Sequence, residues 1–291
     1  MVFFKASTTH TRQPALLREF LDAAIAVAFP TECSLCQDEL SSAGGLRICR
    51  ACWAELQPWS GPSCARCGIP FASARALDAS LAECGACRND APGFDAARTL
   101  GLYTGKLRRA VLHLKFGGEE RLGERLGELL VPAWDGLLRL GDLGTLLIVP
   151  VPLHPSRRRE RGFNQSELLA AGLARALRRK GGGTDPQVVK SYLHRKRATP
   201  PQTGLSVAAR RENLRGAFEV VNPTAVHGRE IVLIDDVMTT GATLSACARA
   251  LKRAGATRVM GLALARATPL FPDLTGAVSD NTVDGLDRDS T

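Results

Sequence analysis

Past Pro92 the apolar positions fall into the alternating pattern of a strand–helix protein. Arg98 to Thr104 has strand character, and Leu107 to Lys115 and Arg121 to Leu138 have helical spacing. Thr145 to Val151 (TLLIVPV) is a nearly unbroken apolar run, which suits a strand buried on both faces. After a loop, Asn164-Gln165-Ser166-Glu167 has the form of a capping box, opening a helix over Leu168–Lys180 that stops at Gly181-Gly182-Gly183. A second buried strand spans Ile231–Val237, a helix runs from Thr243 to Arg253 and closes at Gly255, and a further strand follows over Thr257–Ala265. Strands alternating with helices predict a parallel sheet, with ligands gathered at the carboxyl ends of its strands. Ahead of Pro92 one amphipathic stretch stands out: Leu17, Phe20, Leu21, Ala24 and Ile25, within Pro14–Phe29, recur at helical spacing.

Charge alters this picture more than composition does. Of 291 residues, 45% are hydrophobic and 23% charged, which excludes wholesale disorder. The net charge of +9 is unevenly held. His154 to Arg215 carries fifteen Lys/Arg against four Asp/Glu, whereas Thr268 to Thr291 carries five Asp and one Arg. The basic segment points to a polyanionic partner: a phosphate ester, a pyrophosphate or nucleic acid. The acidic tail, residues 268–291, reads as disordered. No apolar run approaches the ~18–20 residues of a membrane span. The best candidate, Ala23–Phe29, is closed by Asp22 and Pro30 and has no cleavage site after it. A cytoplasmic protein without membrane insertion is the expectation.

Eight of the nine cysteines form four C-x-x-C pairs: Cys33/Cys36, Cys49/Cys52, Cys64/Cys67 and Cys84/Cys87. The intervals between pairs are 12, 11 and 16 residues. Each pair forms a knuckle aiming two thiolates at one ion, and two knuckles complete a tetrahedral sulfur shell suited to zinc. Disulfides need an oxidising compartment, redox C-x-x-C motifs come singly, and iron–sulfur ligands follow other spacings. The expectation is therefore two structural zinc ions with no open coordination position. Sequential pairing of the knuckles gives two ribbons with intervals in or near the usual ribbon range, and an interleaved arrangement stays open. Cys247, far off in an apolar helix, reads as a packing residue.

Two strand ends carry chemistry. Ile231-Val-Leu-Ile-Asp-Asp-Val-Met-Thr-Thr-Gly-Ala-Thr-Leu244 runs four apolar residues into two acids, then through a small-residue turn into a helix. Asp235 and Asp236 can accept hydrogen bonds from vicinal hydroxyls or hold the waters of Mg2+. Gly241 admits close backbone approach, and Thr239, Thr240, Ala242 and Thr243 supply hydroxyls and helix-terminal amides for an anion. A sugar phosphate fits that combination. At the other end, Val149-Pro-Val-Pro-Leu-His-Pro-Ser-Arg-Arg-Arg-Glu-Arg-Gly-Phe-Asn-Gln165 leads Arg157, Arg158, Arg159 and Arg161 toward a helix start, where a pyrophosphate could be held. A solvated basic loop is the plainer reading of the first three arginines.

The stretch IVLIDDVMTTGATL resembles the phosphoribosyl-pyrophosphate (PRPP) binding motif of type I phosphoribosyltransferases. Together with the four knuckles, Leu114-Lys115-Phe116-Gly117-Gly118, the segment Val149–Ala170, Arg197-Ala-Thr-Pro-Pro-Gln-Thr-Gly-Leu205 and Arg211-Glu-Asn-Leu-Arg-Gly-Ala-Phe218, it resembles one family, the ComF proteins of bacterial competence. That resemblance covers roughly residues 14–267. It implies an α/β fold: a type I phosphoribosyltransferase-like parallel sheet flanked by helices, with an N-terminal cysteine-rich double zinc ribbon. The implied organisation is a leading helix (1–29), the double ribbon (30–92), the phosphoribosyltransferase-like domain (93–267) and the acidic tail (268–291). By the same analogy Asp235 and Asp236 meet the ribose and Thr239–Thr243 hold the 5′-phosphate of Mg2+-bound PRPP. Leu153, His154, Arg161 and Gly162 face the pyrophosphate, and Arg197, Gln202 and Thr203 belong to a flexible loop. The implied partners are single-stranded DNA and the competence helicase and uptake proteins.

Fold does not settle function. One reading is a PRPP-binding protein supporting DNA uptake and handling. The other is an active phosphoribosyltransferase of nucleotide or amine metabolism with no DNA role. The chain shows no Walker A pattern and no recognisable pocket for an acceptor base. Aromatic residues, at 5%, offer few platforms for stacking DNA bases.

Overall fold

A computed structural model describes residues 31–40, 46–71, 83–140, 146–181, 186–197 and 212–268. The leading helix, the acidic tail past Thr268, Gln202 and Thr203 lie outside the described residues. The chain divides into two compact units, Met1–Ala54 and Glu55–Thr291.

In the first unit, strands β1 (Thr31–Glu32) and β2 (Glu39–Leu40) pair antiparallel around the first knuckle. Within it the Gln37 amide donates to the Cys33 carbonyl and the Cys33 amide to the Asp38 carbonyl, each at 2.8 Å. Gln37 takes φ 70°, the left-handed turn that brings the chain back on itself. Helix α1 (Arg50–Ala54) carries Cys52.

The second unit repeats that turn at Cys64–Gly68. The Gly68 amide donates to Cys64 at 2.9 Å, with φ 66° at Gly68. Helix α2 (Gly85–Asn89) follows and brings in Cys87.

The rest of this unit is built on a five-stranded parallel sheet. Its strands are β3 (Ala96–Leu102), β4 (Leu146–Pro150), β5 (Gln187–Val188), β8 (Glu230–Met238) and β9 (Arg258–Arg266), ordered β3-β9-β8-β4-β5. The central strands are apolar through their length because both faces are covered: all five residues of β4 are buried, as are Ile231–Ile234 of β8 and Val259–Arg266 of β9. A short antiparallel hairpin of β6 (Leu193–Arg195) and β7 (Phe218–Val220) stands apart from this sheet and flanks the segment that contains Gln202 and Thr203.

Helices α3 (Gly105–Phe116), α4 (Glu120–Glu128), α5 (Val131–Leu138), α6 (Pro155–Arg161), α7 (Gln165–Lys180), α8 (Pro223–Val226) and α9 (Ala242–Arg253) complete the unit. Two differ from the sequence reading. The helix expected over Arg121–Leu138 is two, because Pro132 has no amide hydrogen to continue the first and opens the second. The basic loop after β4 is partly helical: Pro155 starts α6, the His154 side chain caps it by accepting from the Ser156 amide at 3.3 Å, and Gly162 at φ 79° ends it. Asn164 caps α7 as expected, accepting from the Ser166 amide at 3.1 Å, but Glu167 is drawn to Arg158 at 2.8 Å. Cys247 is fully buried in α9.

Candidate functional site and metal centres

The carboxyl end of β8 carries Asp235 and Asp236, which alternate across the strand and meet different neighbours. Asp235 accepts from the Asp236 amide at 2.9 Å and from the Ser166 hydroxyl at 3.5 Å. Asp236 pairs with the Lys115 ammonium at 3.2 Å. Burial pushes the Asp235 carboxyl up to about 7, and the neighbouring Asp236 charge adds to the shift. Burial works against the Lys115 charge, yet Asp236, together with Tyr103 and Asp235, outweighs it and raises the lysine's pKa.

The chain leaves β8 through Thr239 and Thr240 and turns at Gly241, whose φ of 77° is left-handed. A Cβ there would also meet Met238 Cε at 2.7 Å and the Phe94 ring at 3.4 Å. The backbone conformation is what requires glycine, since the methionine end can shift aside. Ala242 and Thr243 open α9, and the Ala242 amide donates to Thr240 Oγ1 at 3.3 Å. The acids, the turn and the helix start are therefore one continuous structural piece.

The residues expected on the pyrophosphate side come from the β4–α7 connection. Leu153 and Gly162 line a cavity of about 490 Å³ with Arg158, Arg159, Lys190 and His194. Neither Asp235, Asp236 nor the Thr239–Thr243 turn lines it. Within it Glu167 takes Arg158 at 2.8 Å and Lys190 at 3.4 Å. His154 is engaged in capping. Arg161 faces elsewhere, donating to Gln165 Oε1 at 3.2 Å with its guanidinium 5.6 Å from the Phe116 ring centre. Arg197 donates to the Asn213 carbonyl at 2.7 Å, tying the two ends of the segment that holds Gln202 and Thr203.

Both cysteine sets converge by sequential pairing. Cys33, Cys36, Cys49 and Cys52 form one cluster and Cys64, Cys67, Cys84 and Cys87 the other, all Sγ atoms within 4.8 Å of one another in each. A zinc bonded to four thiolates at about 2.3 Å requires tetrahedron edges of about 3.8 Å. Cys36 and Cys49 stand 3.7 Å apart, as do Cys67 and Cys84, so the donors fit the ion. Backbone amides aim at the sulfurs: Cys33 accepts from Leu35 and Cys49 at 3.5 and 3.3 Å, and Cys64 from Cys67 and Cys84 at 3.4 and 3.2 Å. The thiol hydrogen bond from Cys67 brings Cys64 down to about 4, making it a thiolate at neutral pH.

Beside the second cluster lie two arginines. Arg266, at the end of β9 and 4% exposed, directs Nη2 to Cys67 Sγ at 3.8 Å. Arg98 on β3 donates to the Ala65 and Ala97 carbonyls at 2.9 and 2.8 Å.

Residues 24–91 match the double zinc ribbon domain, and residues 164–269 match the phosphoribosyl transferase domain. Competence protein F of Haemophilus influenzae is 31% identical over 82% of this chain and 98% of its own length. The chain belongs to the ComF family. Its relatives include DNA utilization protein YhgH of Escherichia coli O157:H7, 33% identical over 81% of this chain and 97% of that protein. Competence protein ComFC of Bacillus subtilis is 27% identical over 72% and 79%. The ComF fold is thus a phosphoribosyltransferase-like sheet with two four-cysteine zinc ribbons. Among the described residues no helix is long and apolar enough to cross a membrane.

The two matched segments leave residues 92–163 between them. That interval holds Lys115, Phe116 and Arg161, which the fold brings to the acid pair and its surroundings. Sequence reasoning gave Lys115 no role. The Leu114–Gly118 motif marks its position, but the pairing with Asp236 joins residues 121 positions apart. Arg98 and Arg266 were missed for a similar reason: each lies on a strand far in sequence from the cysteines it adjoins.

Proposed function

We propose that the protein binds PRPP with Mg2+ through the β8–α9 turn and that this site serves a role in DNA uptake and utilisation, as its relatives' names suggest. The observation that carries the reading is the continuous piece Asp235–Thr243: two acids at a strand end, a left-handed glycine, and hydroxyls and amides at a helix start. Asp235 and Asp236 would accept hydrogen bonds from the ribose hydroxyls and hold the waters of Mg2+. Thr239, Thr240, Gly241, Ala242 and Thr243 would cradle the 5′-phosphate. Leu153, His154, Arg161 and Gly162 would line the pyrophosphate side, and Arg197, Gln202 and Thr203 would close over it. Mg2+, when bound, neutralises pyrophosphate charge. Single-stranded DNA would track the basic His154–Arg215 segment, and competence helicase and uptake proteins would be the partners in that pathway.

The test is thermal stability with and without Mg2+ and PRPP. Ligand at 100 times its Kd stabilises by about 2.7 kcal/mol. Asp235→Ala or Asp236→Ala should abolish the rise, and variants that both respond like wild type would refute the assignment. The exposed Phe116 ring, next in sequence to the Lys115 that pairs with Asp236, favours a second reading, phosphoribosyl transfer to an acceptor with no DNA role. Pyrophosphate release from PRPP across a panel of bases and amines separates the two.

A further inference from the structure

Past Thr268 the chain carries a charge that the function proposed above leaves unused. Residues 269–291 hold five acids, Asp273, Asp280, Asp284, Asp287 and Asp289, against the single cation Arg288. The phosphoribosyl transferase match stops at residue 269, so this tail is an addition to the matched domain. Its second half alternates acids with apolar residues, as in Val283-Asp284-Gly285-Leu286-Asp287. Acidic tails commonly serve as interaction segments, and a basic surface is their complement.

The cavity after β4 has that complementary character. Its cations include Arg158, Arg159 and Lys190, and its carboxylate is Glu167. Glu167 takes Arg158 and Lys190, but their side chains stay 56% and 58% exposed, which leaves further N–H donors open to solvent. Arg159 is exposed and its side chain has no ion-pair partner among the described residues. Leu153 and Leu193 supply apolar wall between the charges. A volume of about 490 Å³ admits a few side chains of a peptide.

Strand directions bring tail and cavity to the same edge of the sheet. β4 and β9 both run parallel to β8, with Pro150 opposite Ile234 and Arg266 opposite Met238. The cavity lies where β4 ends, and the tail departs where β9 ends. β8 alone separates the two strands, a span of about 10 Å across the sheet. From Thr268 to Asp280 the chain advances 12 residues, enough to extend about 40 Å. Reach is not limiting.

We propose that the acidic tail, over Asp280–Asp289, docks in the Arg158–Arg159–Lys190 cavity of its own chain as an internal substitute for nucleic-acid phosphates. Docked there, it closes the basic segment to weak polyanions and yields to strong ones. The docking itself rests on charge and topology, and its consequence for DNA rests on the DNA role proposed above.

The test compares full-length, zinc-loaded protein with a variant in which all five tail aspartates become asparagine. A synthetic peptide of residues 273–291 is titrated into each by calorimetry. A short tether gives an effective concentration of the order of 1 mM, so a tail docking with a Kd of about 100 µM hinders competitors about tenfold. The peptide should therefore bind the asparagine variant about ten times more tightly than wild type. Binding should vanish at 1 M salt, where the Debye length is about 3 Å. Adding Arg159→Glu and Lys190→Glu to the asparagine variant should abolish peptide binding, and Arg159→Gln alone should weaken it; both side chains are exposed, so packing is undisturbed. Equal peptide affinity for wild type and variant, no peptide binding, or binding that survives the two reversals overturns the proposal. So does a dimer that dissociates when the tail is neutralised, which would seat the tail in a second copy.

In parallel, oligo(dT) should bind the asparagine variant about tenfold more tightly than wild type. Equal oligo(dT) affinity would overturn the competition. If neither protein binds oligo(dT), the DNA reading fails by itself, and the peptide titration still decides the docking.

Discussion

Replacing Arg266 with methionine should loosen zinc in the second ribbon while sparing the first. A four-thiolate zinc centre carries a net charge of −2, about half a charge on each sulfur. Arg266 lies 3.8 Å from Cys67 Sγ, and its Nε and Nη1 have no hydrogen-bond partner, so that sulfur is its visible polar contact on this side. Burial lowers the pKa of this guanidinium, a cost that the neighbouring cysteine charges partly offset. A unit pair at 4 Å is worth about 4 kcal/mol at an effective dielectric constant near 20. Half a charge on the nearest sulfur then gives about 2 kcal/mol, or roughly 30-fold in zinc affinity. Substitutions behind metal ligands typically cost 10- to 100-fold, which brackets that figure. Methionine keeps the length and the packing and removes the charge. The assay is competition with a chromogenic chelator, which should resolve two zinc populations. The expected result is one population shifted about 30-fold toward release and the other, from the 1–54 unit, unchanged. Identical release from Arg266→Met and wild type would refute the counter-charge argument, and equal weakening of both sites would show a general loss of folding instead.

Other outcomes follow from the same geometry. Asp235, raised to about 7 when folded and near 3.8 when unfolded, keeps its proton in the native state across that window. Ligand-free protein should therefore lose stability as pH rises from about 4 to about 7, and Asp235→Asn should flatten that slope in pH-dependent melts. Gly241→Ala should destabilise by about 1–3 kcal/mol in urea and remove the PRPP response, since φ 77° opposes a Cβ. Cys36→Ser should leave one zinc per chain by metal analysis. Single-stranded DNA retained on filters should dissociate steeply with salt, and reversing Arg157 and Arg158 should lower the slope by about two. No retention at low salt would remove the DNA role.

How much was legible in the sequence depended on whether each signal was local. The knuckles, the buried strands and the Asp235–Thr243 piece are contiguous, so periodicity and spacing reveal them. The differences of one to three residues at strand and helix ends are largely the usual fraying of such boundaries. The α4–α5 break was missed because apolar spacing continues through Leu129 and Leu130, although Pro132 marked it. Helix α6 was missed because its polar residues have no buried face to set a period: none of its seven residues is buried. The contacts that join Lys115 to Asp236 and Ser166 to Asp235 were not legible at all. They bring together α3, α7 and β8, segments far apart in the chain, and the sheet order places β8 between β9 and β4.

That sheet order also gives the second ribbon a mechanical path to the β8–α9 turn. Arg266 faces Cys67 at one end and sits in register with Met238 of β8 at the other. The next amide, Ala267, donates to the Met238 carbonyl at 3.0 Å. Met238 in turn is the residue whose side chain confines Gly241, together with Phe94. The cysteine cluster, Arg266, the β9 end and Met238 are thus consecutive links. Zinc at this ribbon would fix Cys67 and with it Arg266, and the β9 end sets where Met238 stands when the chain turns. Stripping zinc from the second cluster should therefore lower the Mg2+–PRPP thermal response, and Arg266→Met should lower it in proportion to the zinc lost. Full response in a protein whose second cluster is empty would break the chain at its first link and leave the ribbon as a separately folded attachment.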